Sequence, residues 1–67
     1  MIGLSLEKVR ELAVGKDSEA AVRVLKNNGF GYVETEYPVV RWRRAGELVE
    51  VSYRGGRVAK VEKAGAK

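Results

Sequence analysis

The stretch VVRWRRAGELVEVSYRGGRVAKV, residues 39–61, alternates apolar and polar residues and is interrupted by two turns that contain glycine. Alternation with a period of two predicts strands that have one buried and one exposed face. If Ala45-Gly46 is the tip of the first hairpin, Trp42 lies opposite Val49 and Arg41 lies opposite Glu50. The first pair is apolar and the second is oppositely charged, so the register is consistent on both faces. It places Trp42 in the core.

The second turn is predicted to have the three-residue tip Arg54–Gly56. A two-residue tip at Gly55-Gly56 would set Val51 opposite Lys60 and mix the two faces, whereas the longer tip sets Val51 opposite Ala59. The longer tip also places its last glycine at the left-handed position that such a loop requires. The predicted outer face then has three cross-strand rows: Arg43–Leu48–Glu62, Arg41–Glu50–Lys60 and Val39–Ser52–Val58.

Two amphipathic helices are predicted upstream of these strands. The first begins at the N-cap Ser5 and ends at Gly15, and the second begins at the N-cap Asp17 and ends at Gly29. Because Gly29 occupies the position after the helix, Leu25 and Phe30 are the pair that touches in a Schellman motif. The short link between the helices predicts an αα-hairpin.

These elements define the predicted fold class and domain organisation. The chain is an α+β domain in which the αα-hairpin packs on one face of a three-stranded antiparallel meander, an ααβββ order. Residues 32–37 form either an extra edge strand or an extended crossover, and Pro38 ends that segment. With 67 residues the chain is a single domain, 1–67, whose ends at 1–4 and 63–67 are expected to be frayed.

The composition argues against catalysis and against a cofactor. The sequence has no Cys and no His, so it lacks the usual nucleophile, base and soft metal ligands. The glycines after Arg54 lack the Lys-Ser/Thr pair of a phosphate-binding loop. Glu34 and Glu36 share a face if their segment is extended, which is typical of an acidic edge that discourages strand pairing. We therefore predict a non-enzymatic protein with no catalytic residue, metal site or cofactor.

The expected environment follows from hydropathy and composition. No apolar run approaches the ~18 residues of a membrane span. The N-terminus also lacks the basic region and long apolar core of a signal peptide, so a cytoplasmic location is expected. The sequence contains no Gln, only two Asn, and many charged residues, which is typical of a heat-adapted organism.

The charge distribution favours nucleic-acid binding as the first functional hypothesis. Residues 1–30 carry five cations and four anions, a net charge of +1, whereas residues 31–67 carry eight and five, a net charge of +3. The predicted register buries Trp42 and pairs Arg41 with Glu50, which leaves the arginines at the hairpin ends. These would make weak, sequence-independent phosphate contacts to DNA or RNA. The predicted nucleic-acid-binding residues are Arg43, Arg44, Arg54 and Arg57.

The alternative hypothesis is a protein-interaction module. A sheet with one helical layer leaves its other face and its edges open, and a chain this small gains stability from association. Val39, Leu48 and Val58 would give the open face its apolar content. A homodimer formed through a sheet edge or through this face is a natural outcome.

The order of the elements resembles that of a known family. The residues that carry the resemblance are Leu6, Val9, Leu12 and Gly15, then Val22, Leu25 and Gly29, then Trp42, and finally the run from Val49 to Val58. This pattern is similar to the SmpA/OmlA domain, one half of the β-lactamase-inhibitor-protein-like fold. The resemblance implies helices that cover a meander and a role in binding other proteins, as for the exported envelope proteins of that family.

Overall fold

The computed structural model describes residues 4–64. It contains two helices and one four-stranded antiparallel sheet in the order β1-β2-β3-β4. The α+β prediction is therefore confirmed, and the undecided segment at 32–37 corresponds to the edge strand β1. The elements are α1, Leu6–Ala13; α2, Ser18–Asn27; β1, Gly31–Glu36; β2, Val39–Arg44; β3, Glu47–Arg54; and β4, Arg57–Lys63.

The helix ends agree with the sequence signals. The side chains of Ser5 and Asp17 accept hydrogen bonds from backbone N–H groups in the first turns of α1 and α2. At the end of α2, the Phe30 N–H donates to the Leu25 carbonyl over 3.0 Å, and Gly29 has a φ of 86°. This is the predicted Schellman arrangement, in which glycine adopts the left-handed conformation without a Cβ penalty.

The first hairpin has the predicted register. Trp42 lies opposite Val49 and Arg41 lies opposite Glu50. Trp42 is only 2% exposed, which confirms that it belongs to the core. The apolar pair faces the helices and the charged pair faces away from them, as strand alternation requires.

The predicted register of the second hairpin is wrong. The turn is the two-residue tip Gly55-Gly56, whose φ angles are 61° and 81°, so both glycines adopt the left-handed conformation. Ala59 is an extra residue in β4, and after it Val51 lies opposite Val61. A β-bulge of this kind restores the apolar alignment that a regular two-residue hairpin would lose.

The bulge also changes the predicted rows on the outer face, meaning the sheet face away from the helices. Val58 lies opposite Tyr53 and is 3% exposed, so its predicted place on the outer face is wrong. It is a core residue because the two-residue turn sets it opposite Tyr53, whose side chain faces the helices. The observed outer rows are Arg43–Leu48, Arg41–Glu50–Glu62 and Val39–Ser52–Lys60.

The core lies between the helices and the inner face of the sheet, and both helices make their main backbone contacts with the sheet at β4. The fully buried side chains give the fold most of its hydrophobic stabilisation, because each one is wholly removed from water. The buried residues are Val9, Ala13, Ala21, Leu25, Phe30, Trp42, Val49, Val51, Tyr53, Val58 and Val61.

The two edges of the sheet differ. The link between the helices pairs with β4: Gly15 N–H donates to the Val58 carbonyl and Val58 N–H donates to the Lys16 carbonyl, both over 2.9 Å. The Arg10 side chain donates to the Val61 carbonyl over 3.0 Å. The β4 edge is therefore covered, whereas all six residues of β1 are exposed.

None of the helices within residues 4–64 is long and apolar enough to cross a membrane.

The described parts of the ends for which fraying was predicted, 1–4 and 63–67, make hydrogen bonds with the rest of the chain. Leu4 N–H donates to the Asn28 side chain over 2.9 Å. Lys63 belongs to β4, and the following residue, Ala64, donates its N–H to the Leu48 carbonyl over 2.8 Å. The remaining residues of those predicted ends, 1–3 and 65–67, lie outside the described part of the chain.

The tip of the first hairpin generates a stability prediction. Ala45 and Gly46 have φ angles of 50° and 83°, as in the type I′ turn that favours Asn-Gly. We expect Ala45→Asn to raise the free energy of unfolding by about 0.5–1 kcal/mol, because Asn tolerates the left-handed conformation better than Ala. Chemical denaturation would measure the change. Ala59→Asn, at an exposed strand alanine without positive φ, is the control and should give no gain; a loss with Ala45→Asn would contradict the turn assignment.

Candidate functional site

Arg44, one of the four predicted nucleic-acid-binding residues, has a structural role. Its Nη1 donates to the Leu4 carbonyl over 2.8 Å and to the Asn28 carbonyl over 3.0 Å. Its guanidinium carbon lies 4.4 Å from the centre of the Phe30 ring, a cation–π distance. These contacts join β2 to the end of α2 and to the N-terminal segment, so the Arg44 guanidinium is engaged within the fold, and its predicted role in nucleic-acid binding stays a prediction.

The other three predicted arginines do not form one surface. Arg57 Nη1 donates to the Gly15 carbonyl over 3.0 Å. Arg43 and Arg54 are exposed, and within residues 4–64 neither forms an ion pair. Arg43 lies opposite Leu48, six positions along β3 from Arg54, which corresponds to ~20 Å.

The centre of the outer face carries its own counter-charges. Arg41 contacts the carboxylates of Glu34, Glu36 and Glu50 at 2.7, 2.9 and 3.1 Å. Hydrogen bonds to Glu36 and Glu50 raise the pKa of the Arg41 guanidinium above its ordinary value, so it stays charged. Glu34 and Glu36 share a face as predicted, and the cation between them is Arg41. One cation with three anions leaves this cluster with a net negative charge, which does not suit phosphate binding.

The apolar residues predicted for the open face are separated. Val39 and Leu48 are half-buried on the outer face, and the register places them four positions apart along the first hairpin, ~13 Å. Charged side chains lie between them, and Val58 is in the core. The outer face therefore does not present the continuous apolar patch expected of an interaction surface.

The opposite face contains a groove. Both helices pack towards β4, so the inner surface of β1 and the neighbouring part of β2 are only partly covered beside α2. The depression there has a volume of about 380 Å³ and continues into a second one of about 260 Å³. We call it the α2–β1 groove. Its main lining residues are Ser18, Val22 and Lys26 from one stripe of α2, and Tyr32, Thr35, Val40, Trp42 and Tyr53 from the sheet.

A second β-bulge brings these sheet residues together. The pairing of β1 with β2 shifts between Tyr32 and Glu34, so that Tyr32 lies opposite Trp42 and Thr35 lies opposite Val40. Regular alternation would place Tyr32 on the same face as Glu34. The bulge instead puts the tyrosine on the inner face and the glutamate on the outer face. The groove is not predictable from the sequence, because Val33 is not a residue type that marks a bulge.

The groove is lined by aromatic rings that remain partly accessible. Tyr32 packs edge-on against Trp42 with ring centres 5.8 Å apart, and its hydroxyl is 2.6 Å from the Thr35 hydroxyl. Tyr37 stacks on Tyr53 at 6.4 Å beside the second depression. Tyr32 and Tyr37 are 58% and 71% exposed. Tyrosine presents a large apolar surface with a polar tip and is common in recognition surfaces.

The indole N–H of Trp42 is a buried donor without an acceptor. It is the single buried side-chain polar atom in residues 4–64 that has no hydrogen-bond partner. Indole nitrogen only donates, and an unsatisfied buried donor costs about 1–3 kcal/mol. Such groups in folded proteins call for an explanation, and one explanation is a ligand that supplies the missing acceptor.

Comparisons with known proteins do not assign this chain to a family. No family model matches the sequence, and neither curated proteins nor solved structures give a significant match. The resemblance to the SmpA/OmlA domain therefore stays a prediction. Within residues 4–64 no group of three or more potential metal ligands is present.

The structural role of Arg44 can be tested by comparing its substitution with the same substitution at Arg43. We expect Arg44→Met to lower the free energy of unfolding by about 1–3 kcal/mol, because it removes two charge-assisted hydrogen bonds and a cation–π contact. Arg43→Met makes the same change at an exposed position and should stay within about 0.5 kcal/mol of the wild type. Urea denaturation of both variants is the measurement. Equal effects would argue against a structural role for Arg44.

Proposed function

We propose that this chain is a non-enzymatic binding domain whose α2–β1 groove accepts a segment of another protein. The observation that carries the proposal is the partly covered inner surface of β1 and β2, where an apolar and aromatic depression of about 380 Å³ lies beside α2. This volume lies within the range of ordinary ligand sites. An apolar surface that the fold itself leaves open is typical of an interaction site.

The chemistry of the two faces favours a protein partner over a nucleic acid. Nucleic-acid affinity depends on several cations that neutralise phosphates together. Of the four arginines at the hairpin ends, Arg44 is held by backbone carbonyls. The outer-face cluster around Arg41 has a net negative charge. Groove-lining tyrosines and valines instead suit the side chains of a polypeptide, as aromatic residues do at protein interfaces.

The exposed edge of β1 argues for a partner that differs from this chain. A second copy that paired edge to edge would bring together two clusters of net negative charge, each formed by Arg41 with Glu34, Glu36 and Glu50. Like charges across adjacent strands are destabilising, and charges with a bulge are the usual protection of an edge strand. Homodimerisation, which the sequence analysis also considered, is thus less well supported than binding of a different polypeptide.

A peptide-library selection tests the proposed function. Peptides selected on the wild-type chain should lose at least about tenfold in affinity when Thr35 is replaced by Arg, because the long cation fills the groove between Tyr32 and Val40. Ala59→Arg adds the same side chain at an exposed position on the opposite strand, β4, and should leave binding unchanged. Calorimetry would measure both affinities; a tenfold loss is about 1.4 kcal/mol of binding free energy.

The control separates the groove from other surfaces. If the selected peptides bind the Thr35→Arg variant as tightly as the wild type, the groove is not the binding site. Thermal denaturation of each variant shows whether the fold is kept. A loss confined to Thr35→Arg in a folded protein supports the proposal.

Weak nucleic-acid binding is a second candidate, supported by the exposed and unpaired side chains of Arg43 and Arg54 within the described residues and by the net charge of +4. With two or three phosphate contacts, counting Arg57, the slope of log affinity against log salt for duplex DNA should be about −2 to −3. Replacing both Arg54 and Arg57 with Ala should reduce the slope by about 2. Mobility-shift titrations of DNA and RNA at two salt concentrations measure this, and the absence of any shift at low salt would eliminate this candidate.

A further inference from the structure

The polar groups of the α2–β1 groove share one chemical property, which is the ability to donate hydrogen bonds. Trp42 contributes an indole N–H and Lys26 contributes an ammonium group, and neither can accept a hydrogen bond. Ser18 and Thr35 contribute hydroxyls, which can also donate. No carboxylate lines the main depression. The main depression of the groove therefore presents hydrogen-bond donors, one of them charged, and no charged hydrogen-bond acceptor.

Among these donors, only the Thr35 hydroxyl has an observed hydrogen-bond partner in the described part of the chain, the Tyr32 hydroxyl; of the other three, Trp42 and Lys26 can only donate. The indole nitrogen is buried without a partner, and Lys26 forms neither an ion pair nor a side-chain hydrogen bond within residues 4–64. A charged acceptor forms the stronger hydrogen bonds with such donors, roughly twice as strong as neutral ones. The ligand group that best complements these two donors is therefore an anionic oxygen with apolar groups beside it.

The charges along α2 give the groove a direction. Lys26 lies at the C-terminal end of the stripe, whereas Asp17 and Glu19 lie beside Ser18 at the other end. A negative group of the ligand is attracted to the Lys26 end, where the main depression is lined by an ammonium group and by no carboxylate. The net charge of the chain, +4, adds a weak attraction for acidic partners.

The two depressions are continuous, because they share the lining residues Ser18, Thr35, Val40 and Tyr53. The second one continues past Tyr37 and Gly56. A polypeptide can therefore pass along the groove instead of ending inside it. This shape favours an internal acidic side chain of the partner over its C-terminal carboxylate.

We infer that the groove recognises an acidic residue flanked by apolar residues within a partner segment. This inference rests on the proposed function and names the chemistry of the partner. The carboxylate lies at the Lys26 end and accepts hydrogen bonds from the ammonium group and from the Trp42 N–H. The flanking apolar side chains pack against Val22, Val40 and Tyr53. Because the indole nitrogen is shielded from solvent, the side chains that cover it must move for the carboxylate to reach it.

The single Trp of the chain gives one indole N–H resonance, which reports directly on this site. The probe is an acetylated and amidated hexapeptide with a glutamate between leucine and valine, and its partner peptide has glutamine instead. We expect the glutamate peptide to move the indole resonance downfield and to bind about tenfold more tightly than the glutamine peptide, because the acceptor is charged. The advantage should shrink as salt is added.

A matched pair of lysine variants tests whether the Lys26 ammonium group is the charge that binds the glutamate of the peptide. Lys26→Gln should reduce the affinity for the glutamate peptide by about fivefold and leave that for the glutamine peptide nearly unchanged. Lys8→Gln removes an exposed lysine on α1, away from the groove, and should change neither. Both variants keep the core intact, so their affinities are comparable with the wild type.

Four results would overturn the inference, and the fourth comes from the library selection. The first is equal affinity for the glutamate and glutamine peptides. The second is an indole resonance that stays in place at millimolar peptide. The third is a glutamine peptide with a free C-terminus that binds more tightly than the glutamate peptide, since the groove would then recognise a chain end. Library peptides that depend on the wild-type Thr35 but carry no acidic residue would also refute this inference while leaving the proposed function intact. Loss of that dependence on Thr35 would refute the proposed function itself.

Discussion

The hydrogen bonds between the interhelix link and β4 determine where the helical layer lies on the sheet. Gly15 and Lys16 exchange backbone hydrogen bonds with Val58, and Arg10 adds a third bond at Val61. These contacts attach the αα-hairpin to one edge, so the opposite side of the inner face is only partly covered. The same attachment protects the β4 edge from unwanted strand pairing. The groove is thus a consequence of how the helices are fixed to the sheet.

The sequence predicted the elements whose signals are local. Capping by Ser5 and Asp17, the helix end at Gly29 and the pairing of Trp42 with Val49 all depend on residue types at fixed offsets, and the structure has each of them. These signals are reliable because the capping group and the backbone group that it satisfies are only a few residues apart. The α+β class followed from them.

The two β-bulges could not be predicted in the same way. A bulge adds one residue to a strand and inverts the alternation that follows, and neither Val33 nor Ala59 is a residue type that marks one. Strict alternation therefore excluded the two-residue turn at Gly55-Gly56 and placed Val58 on the wrong face. It also assigned Tyr32 to the face of Glu34. The candidate groove was missed because it depends on the bulge at Val33 and on the lateral position of the helices, which are tertiary features.

Unequal anchoring of the two edge strands has a consequence for local stability. β4 is fixed by β3 on one side and by the interhelix link on the other, whereas β1 pairs with β2 alone and all its residues are exposed. Strands with few buried contacts open at low free-energy cost, well below global unfolding. Amide hydrogens of β1 will therefore exchange with solvent faster than those of β3. A ligand that binds against β1 restricts this opening. Its affinity therefore depends on how well ordered β1 already is in the free protein.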